Sequence, residues 1–157
     1  MRARVVSNGW AAAFILFAAG PVSAQAPQSS TLVVAVPADP QQFNPGITTG
    51  ANTHAVADSL YNGLVALDRT AGPLPDLAQS WTIEDDGKVY RFKLVKGVRW
   101  HDGRALTADD VVFTFREVLL KHHARTKASL TPVLDAIEAP DAETVVFRLK
   151  RPYAALL

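Results

Sequence analysis

The chain has 157 residues, 48% hydrophobic and 20% charged, which excludes a disordered, collagen-like or highly charged tail protein. Sixteen Lys and Arg against fifteen Asp and Glu leave a net charge of +1, without the basic excess of a nucleic-acid binder. There is no cysteine, so disulfides, thiolate zinc sites, iron–sulfur clusters and cysteine nucleophiles are excluded.

The first segment reads as an export signal. Arg2 and Arg4 precede the uncharged apolar run Trp10–Ala19, and Gly20-Pro21 breaks any helix. Val22-Ser23-Ala24 then offers small residues to a signal peptidase, which predicts residues 1–24 as a signal peptide cleaved after Ala24. A membrane-spanning helix needs about 20 apolar residues, more than this run supplies. Residues 25–30, polar with one proline, read as a flexible leader.

Thr31–Val36 is a short valine-rich run with the pattern of a strand buried on both faces. Pro37 and Pro40, each without a donor N–H, end its pairing. A loop rich in Gly, Pro, Thr and Asn follows to about residue 52. Residues 53–62 are expected to form a short helix capped by Asn52 or Thr53, with Val56, Leu60 and Tyr61 inward and Gly63 at its end. Residues 64–67 suggest a strand, 68–75 a turn, and 76–78 an irregular or one-turn helical piece.

Trp81–Glu84 and Val89–Val95 flank Asp85-Asp86-Gly87-Lys88, a strong hairpin signal. Tyr90, Phe92 and Leu94 fall on one face of the second strand, Arg91 and Lys93 on the other. Thr107–Lys121 is the clearest helix. Thr107 is its N-cap, Asp110 the capping-box partner, and Val111, Val112, Phe115, Val118 and Leu119 its apolar stripe. Residues 122–127 read as a polar loop and 130–134 as a short helical turn. Ala136–Ala139 and Thr144–Leu149 form a second expected hairpin around Pro140-Asp141.

The best ligand candidates are Thr48, Thr49, Gly50, Ala51 and Asn52. They lie after the first strand and just before a helix start, where free N–H groups can bind carbonyls or carboxylates. An ordinary connection with an N-cap explains the same residues. Trp81, Trp100, Tyr90 and Phe92 fit packing. Asp102, Asp109 and Asp110 have complete structural explanations at a turn and a helix start. The histidines, His54, His101, His122 and His123, lack the i, i+4 spacing of a zinc protease, and His122-His123 suits a solvated helix end. No nucleophile elbow, phosphate loop or dinucleotide fingerprint is present, so neither catalytic residues nor a cofactor or metal are expected.

Four segments in order resemble the bacterial extracellular solute-binding proteins, family 5, which carry dipeptides, oligopeptides and nickel complexes to ABC importers. They are Leu32–Pro45, Leu60–Val65 (with Asn62 where the family has an acid), Pro75–Trp81 and Asp86–Val112. Ile137–Pro140 and Phe147–Pro152 also fit, so the likeness covers residues 31–157.

The resemblance implies an α/β, periplasmic-binding-protein-like fold of class II type. Residues 31–52 would begin the first ligand-binding lobe, and residues 53–157 would form most of an extra α+β lobe with two β-hairpins and a helix, incomplete at its C-terminal side. It also implies that the Thr48–Asn52 loop borders the ligand. The function implied is that of a periplasmic, monomeric substrate-binding protein that captures a peptide or similar small solute and delivers it to an ABC permease without chemistry. A truncated, non-functional piece, a nickel-chelate binder and an exported enzyme are the competing readings.

Overall fold

The computed structural model describes Ala35 and residues 38–157. The expected signal, the leader and, apart from Ala35, the strand Thr31–Val36 lie outside the described residues. After a short 3-10 turn at Pro45–Ile47 come α1 (Ala51–Ala57), β1 (Val65–Leu67), β2 (Pro73–Pro75), β3 (Ala78–Glu84) and β4 (Val89–Leu94). Then follow α2 (Ala108–Phe113), a π-helical stretch at Thr114–Leu119, α3 (Leu120–His122), α4 (Ala124–Leu130), β5 (Leu134–Asp141) and β6 (Thr144–Leu149). Ala35–Leu157 form one compact unit.

The body is a four-stranded antiparallel sheet in the order β3-β4-β6-β5. Both expected hairpins are present, though the second turns at Ala142-Glu143, with Pro140-Asp141 still in β5, and β4 and β6 pair with each other at the sheet's centre. The period-2 pattern decides which face is buried. Tyr90, Phe92 and Leu94 of β4 lie beside Val145, Phe147 and Leu149 of β6 and Ile137 of β5, all buried. Ala108 and Val111 of α2, with Leu130 and Val133, cover that face. Phe147 sits between two aromatic rings at right angles, Phe92 at 5.6 Å and Phe115 at 4.9 Å, the edge-to-face geometry aromatic quadrupoles favour. The other face carries ion pairs, Arg91–Glu84, Lys93–Glu143 and Arg148–Glu138, as alternation requires.

The β3–β4 turn places Asp85, Asp86 and Gly87 all at positive φ (51°, 49° and 84°). Glycine takes that conformation freely and Asp is among the few other residues that tolerate it, so Asp-Asp-Gly is the right chemistry here. The predicted 107–121 helix is a continuous run, but its middle is wound with i→i−5 bonds: the Leu120 N–H donates to the Phe115 carbonyl. At its start the Asp110 carboxylate accepts the Thr107 N–H at 2.8 Å, the expected capping-box contact.

Four expectations need correction. The first helix spans Ala51–Ala57, not 53–62, and Gly50 is its N-cap. It buries Thr53 and Ala57, one turn apart, while Leu60 and Tyr61 lie in the turn beyond it, each 47% exposed. That turn closes with shorter bonds, Ser59 N–H to Val56 and Leu60 N–H to Ala57. Second, Gly63 is not a helix cap. Its N–H donates to Asp76 Oδ2 at 3.0 Å, and Asn62 Nδ2 donates to Asp76 Oδ1 at 2.8 Å, which ties the 60–65 motif to the 75–81 motif. Third, 73–75 is a strand within the expected turn, pairing with β1. Pro73 and Pro75 are two apart, so both turn their donor-less nitrogens to the same side and leave Leu74 to face Ala66. Ala78 likewise opens β3, buried, rather than ending a helical piece. Fourth, 124–130 is a helix where a polar loop was expected, and the 130–134 turn is its end plus the start of β5. Its apolar content is low, so periodicity gave no signal.

Candidate functional site

The Thr48–Asn52 segment is built by two short elements meeting at an angle. Asn44 Oδ1 accepts the Gly46 N–H at 2.9 Å and caps the 3-10 turn. Gly46 lets this turn sit against the long helix, because a Cβ there would come within 2.9 Å of Val118 Cγ1. Thr48 then extends (φ −142°, ψ 153°), and its Oγ1 accepts the Gly50 N–H at 3.1 Å. The Gly50 carbonyl accepts the His54 N–H at 3.2 Å, the first bond of α1. The first-turn amides at Ala51 and Asn52 therefore have no partner within the helix. Thr49, Gly50 and Ala51 are exposed, and Thr48 and Asn52 are partly covered. All five predicted residues are thus contiguous at the surface, Thr48–Gly50 in the loop and Ala51 and Asn52 in the first turn of α1.

Sequence reasoning missed what holds that loop. His54 Nε2 lies 2.9 Å from the Thr48 carbonyl, which can only accept, so Nε2 carries the proton. His123, far along the chain, packs its ring edge on His54 with centroids 6.1 Å apart. His123 is the N-cap of α4: its Nδ1 accepts the Thr126 N–H at 3.3 Å and lies 2.7 Å from Thr126 Oγ1. Burial, then the neighbouring His54 and Arg125, push the His123 imidazole below its ordinary pKa, while the Thr48 carbonyl opposes them. This corrects the expectation of a solvated, dipole-favoured helix end at His123; His122 is exposed in the last turn of α3, as expected. His123 faces the positive end of α4, where a neutral acceptor is favoured. The visible signal was a His three residues before Thr126, an acceptor at N-cap spacing.

A separate cavity of about 270 Å³ opens over the apolar sheet face, with Phe92, Phe115, Phe147, Leu64, Val65 and Tyr153 among its lining residues. None of the five loop residues lines it. Core side chains form most of its wall, Thr126 and Ser129 the rest of one side, and the Tyr90 hydroxyl donates to the Tyr153 carbonyl at 3.1 Å. The loop offers polar groups on an open surface, whereas the cavity sets Thr126 and Ser129 among core rings.

The remaining expected residues fall as packing and turns. Tyr90 and Phe92 are 2% exposed, and Trp81 packs on Phe92 at 6.4 Å. Trp100 is partly covered, with its Nε1 buried and unpartnered. Asp102 is held below the usual carboxylate range first by the Arg104 backbone N–H and then by the Arg104 side chain, whose Nε lies 2.7 Å away. That pairing closes a tight turn. Among the described residues, no three His, Asp or Glu side chains converge as metal ligands would.

Comparison with known proteins gives this geometry its context. The family model described as "Bacterial extracellular solute-binding proteins, family 5 Middle" matches residues 72–157. A dipeptide-binding protein of Escherichia coli K12 is 36% identical over 149 residues, covering 83% of this chain and 28% of that protein. The crystal structure of a dipeptide binding protein from Pseudoalteromonas sp. SM9913 in complex with Met-Leu superposes with a TM-score of 0.68 at 28% identity. The match covers 76% of this chain and 27% of the other. Haemophilus influenzae OppA, in complex with RPPGFSPFR, gives 0.67 at 30% identity over 74% of this chain and 26% of its own. The chain therefore spans little more than a quarter of the length of these relatives, and its mixed α/β architecture is a part of theirs. On the matched hairpins and helix, and on the overall identity, the chain belongs to the bacterial extracellular solute-binding proteins of family 5.

Proposed function

We propose that this chain is the N-terminal part of a periplasmic substrate-binding protein of an ABC importer, with peptides as its solute class. The observation that carries the reading is the agreement of named relatives: the dipeptide-binding protein of E. coli and the structures holding Met-Leu and RPPGFSPFR match 83%, 76% and 74% of this chain. In this reading residues 31–52 begin the first ligand-binding lobe and residues 53–157 belong to the extra lobe. Residues 1–24 direct export and are removed after Ala24. The Thr48–Asn52 loop borders the ligand, its exposed backbone groups suiting a peptide's carbonyls and carboxylate.

The mechanism is reversible capture followed by lobe closure and release to a membrane permease. No covalent bond changes. Binding must exceed the cost of closure and of ordering the ligand, so affinity rests on a few well-placed polar contacts in a closed cleft. The lone loop, open to solvent, supplies only one side of such a cleft.

The test is a thermal-shift and calorimetry panel on the protein of the complete reading frame. The ligands are Met-Leu, longer peptides, a sugar and a nickel chelate. Saturating peptide is expected to raise the melting temperature, and Ala51→Pro, which removes a free N–H at the first helical position where proline is tolerated, to reduce that shift. A shift with the nickel chelate alone would move the protein to metal-complex uptake. No shift with any member would remove the binding role.

A further inference from the structure

The tie between the 60–65 and 75–81 motifs is made by one carboxylate and a chemically labile dipeptide. An asparagine side chain can be attacked by the backbone nitrogen of the next residue, most readily when that residue is glycine, as Gly63 is after Asn62. Asn62 and Gly63 are exposed and lie outside every helix and strand. Glycine is also required here, because a Cβ at 63 would lie 2.9 Å from the Val65 carbonyl oxygen. The other asparagines among the described residues differ. Asn44 precedes a proline, which has no N–H, and Asn52 lies in α1 before the buried, β-branched Thr53. Asp76 Oδ1 accepts from Asn62 Nδ2 at 2.8 Å, and Asp76 Oδ2 accepts from the Gly63 N–H at 3.0 Å. One carboxylate thus holds both the nitrogen that would attack and the nitrogen that would leave. We propose that Asn62 is a latent deamidation site of this chain and that the Asp76 carboxylate keeps it closed.

The reaction balances with water as its one co-reactant. The Gly63 nitrogen gives up its proton and bonds to Asn62 Cγ. The Cγ–Nδ2 bond breaks, and Nδ2 takes up a proton and leaves as ammonia. Water then opens the cyclic imide at either carbonyl, which leaves aspartate or isoaspartate at position 62. Asp76 opposes this at three points. Its bond to the Gly63 N–H stabilises the unreacted state and must break before the nitrogen attacks. Its negative charge disfavours the negative charge that develops on that nitrogen and then on the Asn62 side-chain oxygen. Its bond to Nδ2 pushes electron density toward Asn62 Cγ and makes that carbon a poorer electrophile. A carboxylate is far too weak a base to offset this by taking a backbone amide proton.

Conversion changes what the tie can do. An ionised acid at position 62 has no donor for Asp76 Oδ1 and sets two carboxylates against each other, which repel. Leu77 and Ala78 donate their N–H groups to the Gly63 and Leu64 carbonyls at 3.1 and 2.8 Å, so the repulsion falls on the contact between the start of β1 and the start of β3. Water addition is irreversible here, so the tie, once lost, does not re-form.

The experiment is peptide mapping by mass spectrometry of the 157-residue chain aged in mildly alkaline buffer, with aspartate and isoaspartate at position 62 as the readout. Asp76→Asn fills the same space without the charge. It is expected to speed conversion at Asn62 about tenfold, the scale of losing one hydrogen bond to an ionised group. Ile137→Val loosens the buried sheet face without touching the tie and is expected to leave the rate unchanged. An unchanged rate in Asp76→Asn overturns the proposal, and so does a slower one, which would make Asp76 the catalyst. Equal acceleration by Ile137→Val also overturns it, because the reaction would then belong to the unfolded chain. Should Asp76→Asn not fold, an unstructured peptide of residues 58–66 is the reference for the native chain. Slower conversion in the chain than in the peptide supports the proposal, and an equal or faster rate overturns it. Asn62→Asp supplies the converted state. Its Leu77 amide is expected to exchange several-fold faster while the Phe92 and Phe147 amides hold, and unchanged Leu77 exchange overturns the loss of the tie. No solute takes part, so these outcomes are independent of the peptide-binding reading.

Discussion

The four-stranded sheet and the Pro45–Ala57 segment are organised by different physics. In the sheet, one residue in two points inward, and the central strands bury Tyr90, Phe92, Leu94, Val145, Phe147 and Leu149 together. Its cohesion is apolar area and ring packing, spread over many partners. The segment buries little beyond Thr53 and Ala57 and is held by single polar contacts: Asn44 to Gly46, Thr48 to Gly50, and His54 to the Thr48 carbonyl. A structure held by area resists small changes in conditions, whereas one held by a few hydrogen bonds can be released by one of them. The segment held by single contacts is where the ligand role is proposed.

Truncations and insertions of single side chains should separate the two regions. Phe147→Ala removes the ring between Phe92 and Phe115 and is expected to cost about 3–5 kcal/mol in denaturant unfolding, the scale of an aromatic deletion from a filled core. Retained stability would show that the helices do not seal that face. Gly46→Ala places a methyl 2.9 Å from Val118 Cγ1 and is expected to cost about 1–3 kcal/mol by overpacking. Its disturbance should reach the exchange of residues 48–52 before that of β4, and equal effects on both would merge the two regions. Asp110→Ala removes the capping-box acceptor at the start of α2 and is expected to cost about 1 kcal/mol in a thermal melt.

The distribution of what was legible follows the same divide. Both hairpins, the inward faces of β4 and β6 and the capping box at Thr107–Asp110 could be read directly, because each depends on residues within one or two turns of chain. The first helix starts two residues earlier than its sequence pattern suggests and buries Thr53 and Ala57 instead of Leu60 and Tyr61. Asn52 and Thr53 are better capping types than Gly50, but the Thr48 hydroxyl already fixes Gly50 in the extended cap conformation. The Thr48–Asn52 loop was found as a place, but its support was not: His54 and His123 are brought together only by the docking of the 3-10 turn on the long helix.

The sequence by itself determined the two hairpins, the helix between them and the family, since alternation, turn chemistry and ordered motifs are local and survive without knowledge of the fold. Only the tertiary structure decided that Asn62 and Gly63 are tied by Asp76, that α4 is a helix with a histidine cap, and that two imidazoles meet beneath the candidate loop. Those contacts join residues whose separation along the chain carries no period, and a polar contact of that kind is fixed by where the packed core leaves each backbone, not by the residues' own preferences.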